Sequence, residues 1–342
     1  MKRPLLALVV MGAAAGASAQ SSSTVTLFGV AAVSVAHIST SGKSVTGLAN
    51  GGNSSSRLGF RGVEDLGGGL QAGFWLEAGI SVDDGATALK FDRRSTVSLS
   101  GGFGELRLGR DKTPAYQNLE TFHAFGDSGM GAINAHNLIS GSAAGTGEGS
   151  SPKRRSNSIS YLLPKLGGVY GQASHSFGET AGSSRLGSGT GIRLGYANGP
   201  LNVAMGYHVE RGGDAAASTD YKAMNIGALY KMGGFTPMVL FASERGAGKR
   251  VDVYSVGAKM ALGSGELRAA YTRFNDKKSD GDSGRLALGY GYQLSKRTEI
   301  YGAVARLSND GAAARKLGSS LSPTPAAGKD LTGYEVGLRH TF

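Results

Sequence analysis

"LTGYEVGLRHTF", residues 331–342, reads as a strand with two unlike faces. Tyr334, Val336, Leu338, His340 and Phe342 share one parity, while Glu335, Gly337, Arg339 and Thr341 share the other. A period of two over this length puts an apolar face against a wet one. The last residues of a soluble sandwich have few partners and usually fray. Here the alternation runs through the aromatic Phe342, so the strand is expected to have a neighbour on each side. A sheet closed on itself supplies both.

The other end of the sequence indicates export. Lys2 and Arg3 precede an apolar run from Leu5 to about Ala15, and Ala17, Ser18 and Ala19 offer small residues for cleavage before Gln20. Residues 1–19 therefore read as a secretory signal peptide, with 20–342 as the exported chain. The apolar run is too short to anchor as a membrane-spanning helix. Cysteine is absent, which excludes a disulfide framework, thiolate chemistry and cysteine-ligated zinc. The six histidines are scattered without ligand spacing, so no metal site is expected. Glycine makes up 57 of 342 residues, well above the usual ~7%, without a collagen period. Beyond residue 19 no apolar run reaches the ~18 residues of a spanning helix, so a membrane form of this chain must be a barrel.

Sixteen segments read as candidate strands, among them "SSRLGFRGVEDL", "GELRLGR" and "GRLALGYGYQL". Most have the ~9–11 residues that cross a bilayer as a tilted strand. Their connections alternate. Seven are tight, such as "EDLGGG", "ANGP" and "LSKRT"; eight are longer and polar, near 39–53, 80–92, 111–155, 178–189, 210–221, 244–250, 275–283 and 308–331. Strict alternation puts all turns on one rim and all loops on the other, the order of an outer-membrane barrel. The fold class is thus all-β, a sixteen-stranded antiparallel transmembrane β-barrel. A secreted soluble β-protein is the competing architecture.

The runs "SRLGFRGVEDLGGGLQAGFWLE", "RRSTVSLSGGFGELRLGRDKTPAY" and "LSKRTEIYG", with the terminal "VGLRHTF", resemble the general trimeric porins of Gram-negative outer membranes, in their betaproteobacterial and neisserial branch. The likeness covers essentially the whole exported chain. It implies a homotrimer among outer-membrane lipids, a third loop folded into the lumen, and passage of small hydrophilic solutes. It also implies that the terminal aromatic, Phe342, is read by the outer-membrane insertion machinery. The connection 111–155 is the longest, which independently favours it as the constriction loop.

A pore makes no bonds, so its site is a ring of charges. Arg57 and Arg61 oppose Leu58 and Phe60 in parity and point inward if the latter face lipid. An arginine facing lipid at mid-depth costs ~2–4 kcal/mol, which enforces that choice. Arg154 reads inward with Ser156, Ser158 and Ser160 against Ile159 and Tyr161. The resemblance matches Arg57, Arg93 and Arg154 to the family's basic ladder. If Val97 and Leu99 face outward, Arg94 rather than Arg93 points inward; a bulge would admit both, and both are candidates. Glu77 shares parity with Gln71 and Gly73 against Leu70, Phe74 and Leu76, and Glu120 and Asp127 lie in the long loop. The family commonly carries an aspartate where "FHAFGD" places His123, a departure that weakens the acidic side. The formal charge of +11, of which Lys2 and Arg3 belong to the signal peptide, agrees with a preference for anions.

Other functions find less support. No basic run with interleaved aromatics points to nucleic acid beyond "KRR" at 153–155. "RGAGKR" at 245–250 lacks the first glycine and the Ser/Thr of a phosphate loop. No motif calls for a cofactor or marks a catalytic triad, which leaves a barrel enzyme or adhesin as the alternative use of the scaffold.

Overall fold

The computed structural model describes residues 24–86, 88–135, 138–139, 153–179, 181–213 and 218–342. The expected signal peptide and residues 140–152 of the long connection lie outside them. The strands are β1 (Thr24–Thr40), β2 (Lys43–Asn50), β3 (Arg57–Gly67), β4 (Leu70–Gly79), β5 (Arg94–Gly101), β6 (Gly104–Lys112), β7 (Arg154–Leu162), β8 (Val169–Ser176) and β9 (Gly189–Asn198). They continue as β10 (Leu201–Gly213), β11 (Ser218–Tyr230), β12 (Phe235–Gly246), β13 (Lys249–Leu262), β14 (Gly265–Asp276), β15 (Ser283–Gln293), β16 (Thr298–Asn309) and β17 (Leu331–Thr341). Among the described residues one helix, α1 (Pro114–Thr121), follows β6.

Apart from β2 and β3, each strand pairs antiparallel with its chain neighbour, and β17 returns to β1 over Val30–Ser39. On its other side β1 pairs first with β3 over Thr24–Val30 and then with β2 over Val33–Thr40. β2 and β3 thus form one interrupted stave, and the seventeen segments close into a barrel of sixteen. The break leaves the peptide of Ala32 between two partners. Ser56 Oγ accepts from Ala32 N at 3.1 Å and donates to Ala32 O at 2.9 Å, so no backbone group is stranded.

The outer surface carries the apolar parity of every strand. Val336 is 62% exposed, Leu286 61% and Val97 57%, values that only a hydrocarbon surround makes sensible. No helix among the described residues is long and apolar enough to cross a membrane. The seven tight connections fall where expected. Two of the long ones do not. The expected loop 39–53 is a hairpin, its turn formed by Ser41 and Gly42 with φ of 42° and 76°. The expected loop 244–250 is likewise a turn at Ala247 and Gly248, φ 48° and 73°. Two successive positive φ values make the tight hairpin type whose twist suits paired strands. The strands there outrun the bilayer with polar residues, so a reading by hydrophobic length ends them early. For the same reason β10 reaches Gly213 and β11 begins at Ser218, inside the expected loop 210–221.

The helix was not anticipated from the sequence. Thr113 caps it, its Oγ1 accepting from Tyr116 N at 3.3 Å, and Pro114 opens the first turn, where a missing N–H costs nothing. Its far side and the chain after it are apolar and lie against the inner wall. Tyr116, Leu119, Phe122 and Ile133 pack with Leu240, Val253 and Phe274 of β12 to β14. Phe122 is fully buried, worth roughly 1.5–3 kcal/mol relative to exposure, and its ring occupies the space where a Cβ on Gly227 would stand. Glycine on β11 is what lets the loop come this close.

Candidate functional site

The loop fills one side of the lumen and leaves an opening of about 730 Å³ against the other. Its floor is α1, and its walls are the inward faces of β3 to β7 with Arg193 of β9. Eight basic side chains line it: Arg57, Arg61, Arg93, Arg94, Arg107, Lys112, Arg154 and Arg193. Three acids face them, Glu77, Asp111 and Glu120.

Most of the acidic charge is spent locally. Arg93 Nε donates to Glu77 Oε1 at 2.7 Å, with Arg57 4.0 Å from the same oxygen. Asp111 lies 2.6 Å from Arg107 and 3.7 Å from Arg94, and Lys112 reaches Glu120 at 2.7 Å. Three arginines are held otherwise. Arg154 donates to the carbonyl of Arg93 at 2.6 Å, and Arg193 donates to Asn118 at 3.0 Å and Thr121 at 2.9 Å. Arg61 stacks over Phe28 and Trp75, and Arg94 covers Trp75 at 4.6 Å. Among the described residues no carboxylate pairs with these three, so the opening keeps a positive excess.

Both arginines of "RRS" reach this space, for a reason visible in the ladder. Glu77 is opposite Arg94 in the register, yet its carbonyl also accepts from Arg93 N at 3.0 Å. Arg93 stands one residue before β5, outside the paired ladder, so its side chain is not bound by the alternation that turns Arg94 inward.

Asp127 faces a second opening of about 350 Å³, which shares Arg93 with the first. It accepts from the Tyr116 hydroxyl, and Lys153 stands 3.5 Å away. Burial alone would raise its carboxyl, but Lys153 and the tyrosine hydroxyl hold it well below the usual range. Glu120 is pushed up by burial, with Lys112 opposing. His123 is placed elsewhere. It is 3% exposed, its Nε2 3.3 Å from Thr272 Oγ1 and its Nδ1 accepting from Phe125 N at 3.2 Å, against the wall of β14 and outside the lining of either opening. Burial first, then Arg285 and Lys259, lowers its pKa well below the ordinary 6.5. The expectation that it lines the aqueous passage is corrected accordingly: the apolar anchors Phe122 and Ile133 turn this stretch of loop toward the wall.

Phe342 closes the seam. It exchanges backbone hydrogen bonds with Gly29, 2.9 Å and 3.1 Å, and its ring lies across the space a side chain at Gly29 would need. Sequence reasoning overlooked Arg107, Asp111, Lys112 and Arg193. Parity would have found two of them: Arg107 sits between Leu106 and Leu108, and Arg193 between Ile192 and Leu194, these three leucines and the isoleucine being exposed on the outer face.

A closed barrel with a lipid-facing surface, a loop folded inside and a charged aqueous opening is a membrane channel. The profile of the Gram-negative porin family matches residues 6–312, and the chain belongs to that family. It is 39% identical to the outer membrane porin protein 32 of Delftia acidovorans, with all of both chains covered. The major outer membrane protein P.IB of Neisseria meningitidis serogroup B is 27% identical, again over both full lengths. Among solved structures, the anion-selective porin from Comamonas acidovorans superposes with a TM-score of 0.86 at 37% identity, covering 94% of this chain and 100% of its own. The protein is an outer-membrane porin of a Gram-negative bacterium.

Proposed function

We propose that this porin passes small hydrophilic solutes with a preference for anions, and that the selecting residues are Arg57, Arg61, Arg93, Arg94 and Arg154, with Arg107 and Arg193. Glu77 and Glu120 act as local counter-charges, Glu77 holding Arg93 and Arg57 in place and Glu120 holding Lys112. The carrying observation is the excess of basic over acidic side chains around one opening, eight against three. An arginine ~8 Å from the permeating ion at an effective dielectric near 20 contributes about 2 kcal/mol before screening, enough to bias an ion's path. The name of the Comamonas relative, an anion-selective porin, supports the same sign.

The segment 111–155 acts as the constriction loop, the functional unit is a homotrimer, and Phe342 serves the insertion machinery. These three assignments rest on the family resemblance together with the seating of the loop inside the barrel. The test of the main assignment is the reversal potential in a planar bilayer under a potassium chloride gradient. The sign expected is that of chloride permeating faster; the opposite sign would overturn the proposal.

A further inference from the structure

The outer surface has one feature that a plain lipid-facing band does not need. At the loop-side end of β11 to β14, four cations stand side by side. Lys222 is opposite Arg245 and Arg245 opposite Arg250 in the register, and Lys277 N donates to Arg250 O at 2.8 Å. All four share parity with outward residues of their strands: Lys222 with Ile226, Arg245 with Val239, Arg250 with Tyr254 and Lys277 with Tyr271. With strands ~4.8 Å apart, the row spans about 14 Å.

Beneath it the same strands form an apolar groove of about 500 Å³, with Ile226, Val239, Phe241, Tyr254, Val256 and Tyr271 in its lining. The aromatic level, Phe241 and Tyr254, is four residues below Arg245 and Arg250, about 13 Å along the strand. Aromatic rings at this height mark the membrane interface, so the cations stand among headgroups and the groove among acyl chains. The carboxylates nearby are already engaged. Asp252 is 2% exposed and held by Ser243 at 2.6 Å and Arg250 at 2.9 Å, Asp220 is bound to Arg211 at 2.7 Å, and Asp282 to Arg273 at 2.7 Å. Lys222, Arg245 and Lys277 keep their charge uncompensated among the described residues.

We propose that this face binds a phosphorylated, multiply acylated glycolipid of the outer leaflet, its phosphates across Lys222, Arg245, Arg250 and Lys277 and one acyl chain in the groove. A row this long suits a headgroup bearing two separated phosphates better than a single one. The charge complementarity and the groove directly below it select a lipid over a second copy of the chain, which would bring no comparable density of negative charge next to an acyl chain.

The test is native mass spectrometry and titration of the full-length folded protein in detergent, with bisphosphorylated lipid A, its dephosphorylated form and phosphatidylglycerol as probes. Bisphosphorylated lipid A should bind about tenfold or more tighter than the other two. Lys222→Gln, Arg245→Gln and Lys277→Gln together should weaken it by roughly fivefold per charge removed. Arg250 is kept so that Asp252 retains its partner. Lys296→Gln with Arg297→Gln, on the opposite rim, should leave binding unchanged. Equal binding of the dephosphorylated lipid, equal binding of phosphatidylglycerol, or indifference to the triple substitution would overturn the proposal. So would loss of the oligomer in the triple variant on unheated gels, which would make a neighbouring subunit the occupant.

Discussion

Arg57 and Arg285 occupy equivalent positions in two walls of the same barrel and meet opposite environments. Each alternates with outward leucines, Leu58 for one and Leu286 for the other, so each must point inward. The Arg57 side chain is 29% exposed in the aqueous opening. Arg285 is 2% exposed, donating to the carbonyl of Ile133 at 3.3 Å and stacked over Phe274 with Arg315 on the same ring. The difference is the loop: it covers the wall of β11 to β15 and leaves the wall of β3 to β7 bare. Facing inward and facing the passage are therefore separate properties, and only the second affects ions.

The largest effect should come from the seam on which both walls depend. Deleting Phe342 removes its two backbone bonds to Gly29 and the ring above it, leaving strand edges unsatisfied in hydrocarbon. Folded porin in outer-membrane fractions should fall by about tenfold or more, read as heat-modifiable bands on gels. Unaltered band intensity would sink the argument. Next is the seat of the loop. Phe122→Ala empties a fully buried site and should cost about 3–5 kcal/mol of loop seating, seen as noisier single-channel currents and faster proteolysis within 113–139. A quiet, protease-resistant channel would show that the loop is held by its polar contacts alone.

The comparison itself is broken or sharpened by a pair of substitutions. Arg57→Glu reverses one charge in the opening and should lower the chloride-to-potassium permeability ratio severalfold, most clearly at low salt, where the Debye length exceeds ~10 Å. Arg285→Gln should leave that ratio unchanged while loosening the loop. Equal shifts in the two variants would mean that the covered wall also sets selectivity.

The smallest expected effect is the pH response of His123. Its folded pKa lies below its unfolded one, so the seated loop binds fewer protons than a released loop between those values. Seating is therefore fully supported above pH ~6.5 and weakens as the pH falls toward the depressed value. Current noise should rise modestly from pH 7 to pH 5 in the parent protein and less in His123→Asn. Because His123 is packed on the wall with Arg285 and Lys259 nearby, acidification is expected to act through loop seating and not through selectivity. A shift in permeability ratio with steady current would contradict this.

Much of the fold was legible in the sequence because strand alternation and turn chemistry are local. The terminal strand, the seven tight turns and the inward parity of Arg57, Arg61 and Glu77 each follow from residues within a few positions of one another, whereas the alternation in β7 is broken between Arg155 and Ser158, where the register shifts. The hairpins at 41–42 and 247–248 were misjudged because strands above the bilayer are polar on both faces and so lose the hydrophobic signal. What only the tertiary structure decided is which inward side chains meet water. Arg285 is covered by a carbonyl 152 residues away in the chain, His123 is drawn to the wall by the apolar anchors around it, and Arg93 joins Arg94 from just outside the ladder, held by Glu77. Parity reports the side of a sheet; exposure depends on what else folds against that side, and no local pattern carries that information.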